Sequence, residues 1–159
     1  MKGTIDFSYD AQNDIVLQRP RWRLDMPVEV MRWYQLQAGY LSARFRQRKD
    51  IIEVDTDFDV IPKVTSLWGQ YRARLHELYV RYSVRVGSGA HVRLAANTST
   101  VLHSLPSVER STVEEAVAYI LQMRRAGDSG SGTSGTRGRI SKVSRLSGVG
   151  EAPKASSIS

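Results

Sequence analysis

Four carboxylates alternate through the segment EVDTDFD: Glu53, Asp55, Asp57 and Asp59. On an extended strand they share one side, with Ile52, Val54 and Phe58 opposite. Clustered hard oxygens suit a divalent cation, but a calcium loop needs Gly at its sixth position and Glu at its twelfth. Counted from Asp55, those positions hold Val60 and Ser66. The expectation is a solvated acidic loop at the carboxyl end of a strand, favoured by the dipole of the helix that follows. Open α/β sheets bind ligands at such a place. The three histidines, His76, His91 and His103, fall into no metal-binding spacing, so no metal is expected. His76 is expected on the solvated outer face of a long helix. No G-x-S-x-G is present, and Gly87-Ser88-Gly89 reads as a tight turn rather than an anion seat.

Asp55 and Asp57 follow the apolar run IIEV, where a D-x-D pair can supply a nucleophile and a general acid. Magnesium-dependent phosphatases of the haloacid-dehalogenase type use such a pair. They also need Thr or Val two residues after the second Asp, a downstream Lys and a second acidic pair. Asp59 occupies the first of these positions, and only Glu114-Glu115, within a helical pattern, offers the last. The segment is not expected to be catalytic. A second constellation interleaves Arg19, Arg21, Arg23, Arg44, Arg46, Arg48 and Lys49 with Trp22, Trp33, Tyr34, Tyr40 and Phe45. Basic and aromatic side chains together can stack and neutralise a nucleic acid. Tyr34 and Phe45 fall on a helical core stripe, however, and no nucleic-acid module signature is present, so nucleic acid is not the expected partner. Arg72, Arg74, Arg81 and Arg85 are expected to form a solvated face.

The elements that must position these residues are readable from periodicity. Thr4–Tyr9 alternates, Asp10–Asp14 is turn chemistry and Asp14–Gln18 resumes an apolar run, which predicts an N-terminal hairpin. Asp25 is expected to cap a helix with Pro27 in its first turn and a stripe of Val30, Met31, Tyr34, Ala38, Leu41 and Phe45. Asp50–Val54 predicts a strand. A helix from Pro62 to about Val80 carries Val64, Leu67, Trp68, Tyr71, Leu75 and Leu78. Ser83–Val86 predicts a strand, Ala90–Ala96 a short helix and Thr100–Leu105 a last strand. Ser111 and Glu114 are expected to form a capping box for a final helix bearing Val113, Ala116, Val117, Ile120 and Leu121. The order is that of a mixed α/β sheet whose later strands are parallel, joined by right-handed helical crossovers.

The chain has 159 residues, 41% hydrophobic and 25% charged, with a net charge of +7, a balance that suits one folded domain with an appendage. Zero cysteines exclude a disulfide framework, thiolate metal sites and cysteine nucleophiles. No apolar run approaches the roughly 20 residues of a membrane span. The Met1-Lys2-Gly3 start has no secretory apolar region, so a cytoplasmic protein is expected. Composition changes at Gly127. The expected division is a domain over residues 1–126 and a disordered, Gly/Ser-rich basic tail over 127–159. Within the tail, Ser141 and Ser147 each follow an arginine by two residues and are candidate phosphosites. Ile140, Val143 and Leu146 recur at three-residue spacing, so Arg137–Leu146 could order on a partner.

A hairpin followed by alternating helices and strands resembles the STAS, or SpoIIAA-like, family, and its SEC14-related bacterial branch above all. The residues that carry the resemblance are Asp6-Phe7-Ser8-Tyr9-Asp10 with Asp14-Ile15-Val16 in the hairpin, Asp57-Phe58 after the third strand, and Leu67-Trp68 in the next helix. The resemblance spans Thr4–Leu121. It implies a non-enzymatic regulatory or scaffold module that pairs with a protein, or in SEC14-like relatives a carrier of an apolar small molecule or lipid. The family's phosphorylatable D-S-[SA]-G turn is missing here. Pro62-Lys63-Val64-Thr65 stand in its place, with Thr65 and Ser66 as the nearby hydroxyls.

The function expected from the sequence is thus that of a bacterial cytoplasmic interaction module, not an enzyme, with no cofactor and a protein partner. Its surface is expected at Asp57, Asp59, Lys63, Thr65, Ser66, Gln70 and Arg74, and an edge strand or helix face could also make a homo-oligomer. The alternatives are a carrier with Trp22, Trp33, Trp68 and Tyr71 around a pocket, and the phosphatase of Asp55 and Asp57.

Overall fold

A hairpin opens the fold because a polar, positive-φ turn separates two alternating runs: β1 (Thr4–Asp10) pairs antiparallel with β2 (Ile15–Leu24), and Asp14 sits at φ 54°. The computed structural model describes residues 3–131, so Ser141, Ser147 and the Arg137–Leu146 segment lie outside the described residues. Downstream come α1 (Pro27–Arg44), β3 (Lys49–Val54), β4 (Asp57–Val60), a 3-10 turn at Pro62–Val64, α2 (Thr65–Leu78), β5 (Val80–Val86), α3 (Ala90–His103), β6 (Glu109–Arg110) and α4 (Val113–Ser131). The six strands form one mixed sheet ordered β1-β2-β3-β5-β6, with β4 also on β2. The α/β class, the N-terminal hairpin and the parallel later strands are as expected.

Strand alternation makes two cores. Val16, Trp22, Leu24, Ile51 and Phe58 pack with Val30, Trp33, Trp68, Leu75, Val92 and Ala96 from α1, α2 and α3. Ile15, Ile52, Val54, Val84 and Val86 pack with Ala116 and Ile120 of α4 on the opposite face. Same-hand crossovers put the first three helices on one side of the sheet, as right-handed β-α-β connections require.

Several boundaries differ from expectation, each for a local reason. The EVDTDFD run is not one strand. β2 pairs with β3 through Ile15–Gln18 and with β4 through Arg21–Leu24, so β3 and β4 lie end to end along β2 with a turn at Asp55-Thr56 between them. Thr100–Leu105 is not a strand: α3 runs on to His103. The Thr98, Ser99 and Thr100 hydroxyls each donate to the carbonyl four residues back, which satisfies them inside the helix. The edge strand is the two-residue β6 instead.

Met26, not Asp25, is the N-cap of α1; the Glu29 carboxylate accepts from the Asp25 and Met26 N–H groups at 2.8 and 3.0 Å, and Asp25 pairs with Lys63. Met31 is 43% exposed and Trp33 takes its place inside. The final helix is capped one residue later than expected, by Thr112 with Glu115. The boundary drawn at Ala126 falls inside α4.

Gly69 lets α2 pack tightly on α3: a Cβ there would stand 2.8 Å from Ser99 Oγ, itself held on the Ala95 carbonyl. Gly69→Ala is expected to destabilise by about 1–3 kcal/mol through overpacking. Urea unfolding should show most of that loss removed in Gly69→Ala/Ser99→Ala, where the opposing oxygen is gone.

Candidate functional site: a polar cluster inside the three-helix face

Polar side chains occupy inward positions on five elements. β2 points Gln18 inward on the same face as Val16, and α1 places Gln37 one helical turn from Trp33 on its buried stripe. β3 contributes Glu53, α2 contributes Arg72 and His76, and β5 contributes Ser83 and Arg85. Gln18, Gln37, Glu53, Arg72 and Arg85 are each no more than 8% exposed. Together with Trp33 and Trp68 they surround a cavity of about 30 Å³. Arg72 and Arg85 were expected on a solvated face. The structure corrects this, since at 6% and 4% exposure both lie within the protein.

The hydrogen bonds show how the cluster is held. Gln18 Nε2 donates to Gln37 Oε1 at 3.0 Å and also to Glu53 Oε2. Because the Glu53 carboxylate accepts, the Gln18 amide nitrogen must face it, and this orients Gln37 in turn. Arg72 Nη2 donates to the Pro106 carbonyl at 3.0 Å and Arg85 Nη2 to Ser107 Oγ at 2.8 Å, so the loop before β6 anchors both guanidiniums. The Arg72 guanidinium also lies 5.7 Å from the Trp68 ring centre. Burial, then Arg85 beside it, pulls Arg72 down to about 10, which leaves it charged at neutral pH. His76 Nε2 lies 3.1 Å from Ser83 Oγ. His76 was expected in solvent; it is half-buried, and burial followed by the charges of Arg72, Arg48 and Arg85 pushes it down to about 3.

Asp55 sits at the edge of this cluster, 1% exposed, where the turn after β3 passes under the start of α3. It accepts from Ser88 Oγ at 2.8 Å and lies 3.7 Å from Arg85 Nε. Burial, and then the neighbouring Glu53, raises its carboxyl well above the usual carboxylate range, against the opposing pull of Ser88 and Arg85. The expected solvated acidic loop is therefore only half right: Glu53 and Asp55 are inside, whereas Asp57 is exposed and Asp59 is half-buried. Gly87-Ser88-Gly89 is a tight turn with Gly87 at φ 75°, and the protein's own Glu109 carboxylate accepts from the Ser88 N–H. No group of three His, Asp or Glu side chains able to hold a metal occurs among the described residues.

The residues singled out as a partner surface separate into two groups. Asp57 and Asp59 stand opposite Arg21 and Arg23 in register and border a shallow depression of about 480 Å³. Asp59 Oδ1 also lies 3.1 Å from His91 Nδ1, at the first turn of α3. Lys63 is held by Asp25 at 3.0 Å, and Thr65 Oγ1 donates to the Ile61 carbonyl. Ser66, Gln70 and Arg74 make one exposed stripe along α2. The aromatic residues proposed for a carrier pocket do not converge either. Trp33 and Trp68 line the small cavity, Trp22 faces the surface depression, and Tyr71 packs at a tilt against Tyr34 with ring centres 5.0 Å apart. Apolar-ligand sites span roughly 300–1,000 Å³. The basic-aromatic interleaving also has a structural cause: Trp22 and Trp33 are core, and Tyr40 stacks on Phe7 under Arg44.

One surface feature escaped the sequence reading. Leu94, Val101 and Leu102 of α3 are 62%, 82% and 60% exposed, at spacings that put them on one side of the helix. Assigning Thr100–Leu105 to a strand hid this ridge. The polar cluster left a legible signal, since Gln18, Gln37 and Arg72 each stand at an inward position of their element's apolar period. No helix among the described residues is long and apolar enough to cross a membrane. No protein-family model matches the chain, and no curated protein matches it.

Proposed function

We propose that this chain is a non-catalytic, STAS-like interaction module, a bacterial cytoplasmic regulator or scaffold that grips a protein partner through the outer face of α3. The observation that carries the reading is the ridge of Leu94, Val101 and Leu102, three large aliphatic side chains left in water on one helix face. Exposed apolar surface of this kind on a folded domain marks a contact site. The helix has no acidic residue, and its His91 and Arg93 are matched by the chain's own Asp59 and Glu109, so the fitting partner presents an apolar patch. Asp59, through its contact with His91, adjoins the ridge, as the family-like placement of a surface after the third strand implies. The order of hairpin, helices and parallel strands supports the STAS-like reading.

The test compares affinity capture by the whole chain with capture by Val101→Glu/Leu102→Glu, followed by titration of the purified partner. Both changes lie on exposed positions and should leave the circular dichroism spectrum unaltered. The expected result is a protein partner whose affinity for the variant falls at least about tenfold, the equivalent of about 1.4 kcal/mol. Equal affinity would overturn the reading. So would loss only of self-association, or only of binding to anionic lipid vesicles.

A further inference from the structure

The lining of the small cavity is strongly one-sided in its chemistry. Six buried atoms of its lining residues are donors without a hydrogen-bond partner in the protein: Trp33 Nε1, Trp68 Nε1, Gln37 Nε2, Arg72 Nη1, and Arg85 Nη1 and Nε, the last with only the Asp55 carboxylate at 3.7 Å. Against them stands one unpartnered acceptor, Gln18 Oε1. Two guanidiniums on the wall have one carboxylate beside them in the lining, Glu53, and a second, Asp55, behind Arg85 at 3.7 Å. A buried donor left unpaired costs about 1–3 kcal/mol, and more when it is charged, so a lining of this kind calls for an acceptor. Water would satisfy some of these groups, but it brings its own hydrogens into a space already crowded with donors. An anion accepts from every side and offsets the excess positive charge.

We propose that this cavity is a binding site for a small monovalent anion, of the size of a halide or formate. Size limits the choice. A water needs about 10–15 Å³ of such volume, so about 30 Å³ accommodates two or three non-hydrogen atoms and no phosphoester or lipid headgroup. Trp33 and Trp68 both line the cavity, with rings 5.8 Å apart at 45°, and their unpartnered indole N–H groups are directional donors. Arg72 and Arg85, each tethered by its other terminal nitrogen to the Pro106–Ser107 loop, supply charge without having to move. Entry has one evident place. Of the lining residues, only His76 and Ser83 are half-buried rather than buried, and their polar atoms lie 3.1 Å apart. The site is separate from the α3 ridge, so either can fail without the other.

The experiment uses the intact chain. Thermal unfolding and tryptophan fluorescence are followed against sodium chloride, bromide and formate, with sodium gluconate matching the ionic strength. A crystal grown with bromide is measured at the bromine absorption edge. The expected result is a saturable rise in midpoint with the small anions, absent with gluconate, and an anomalous peak between the Trp68 indole and Arg72. Gln37→Glu replaces a donor with a carboxylate and should weaken binding at least tenfold. Trp68→Phe keeps the ring, loses the N–H and should weaken it several-fold, which provides the test if Gln37→Glu fails to fold. Identical curves in gluconate and halide would overturn the proposal. So would a cavity holding only water, a bromide peak at crystal concentration with no saturable shift, or affinities unchanged in a folded variant.

Discussion

Asp50→Ala is expected to destabilise the fold by about 3 kcal/mol, because breaking a buried, multiply bonded ion pair leaves its partners unpaired. Asp50 is the second residue of β3, and its side chain is fully buried. Its carboxylate accepts from Arg81 Nε and Nη2 at 2.8 and 2.6 Å, from Arg124 Nε at 2.6 Å, and from the Tyr82 N–H at 3.2 Å. Arg124 continues outward to the Asn13 and Asp14 carbonyls at 2.6 and 2.8 Å. One carboxylate thus ties the start of β5 and the middle of α4 to the hairpin turn. Arg81 is 43% exposed and can return to water, which keeps the expected loss near the lower end for buried pairs. Thermal unfolding should show a midpoint lower by about 6–12 °C for a chain of this size. Arg81→Ala should cost less, since Arg124 still neutralises Asp50. A shift under about 2 °C in Asp50→Ala would show that the clamp contributes little.

The second large effect concerns pH. His76 is pushed down to about 3 by burial and by the neighbouring arginines. Between about pH 6.5 and 3 the unfolded chain therefore takes up a proton that the native protein refuses. Its contribution is fully present above pH 6.5 and is lost as the pH falls, at up to about 1.4 kcal/mol per unit. Asp55 works in the opposite sense. Burial and Glu53 raise it, so the native state keeps a proton that the unfolded chain releases near pH 4. That contribution is present below pH 4 and is lost as the pH rises toward the native value. The two slopes oppose one another above pH 4, where Asp55 and His76 respond in opposite senses. In His76→Gln only the Asp55 slope of the two remains, so just above pH 4 that variant should grow less stable to urea as the pH rises. The gap between parent and variant should widen by about 2–3 kcal/mol from pH 4 to 6.5. A gap independent of pH would mean that His76 titrates in the native protein as it does in the unfolded chain.

Periodicity carried the fold well where burial and pattern coincide. The hairpin alternation, the Val64–Leu75 stripe and the Ala116–Ile120 face all appear in the structure at the places the residues imply. It failed where polar groups are buried or hydroxyls are satisfied locally. Gln37 sits at an inward position that an apolar stripe skips over, so the α1 face was drawn through Met31 rather than Trp33. Arg72 and Arg85 looked like solvent-facing charge because the Pro106–Ser107 loop that accepts from them is more than 20 residues away in sequence. Thr100–Leu105 read as a strand, but α3 continues through His103, with the Thr98, Ser99 and Thr100 hydroxyls bonded to the preceding helical turn. The acidic run gave its spacing correctly and its environment incorrectly, since a break in pairing at Asp55-Thr56 sends two carboxylates inward and two outward.

The proposed role is tested most directly by placing a photo-crosslinking amino acid at position 101 on the α3 ridge. A second chain carries it at position 19, on the exposed charged face of the sheet. Both are irradiated in native lysate. The prediction is a discrete protein adduct from position 101, abolished by Leu102→Glu, with no matching adduct from position 19. The same adduct from both positions, or an adduct from position 19 alone, would contradict the assignment of α3 as the gripping surface.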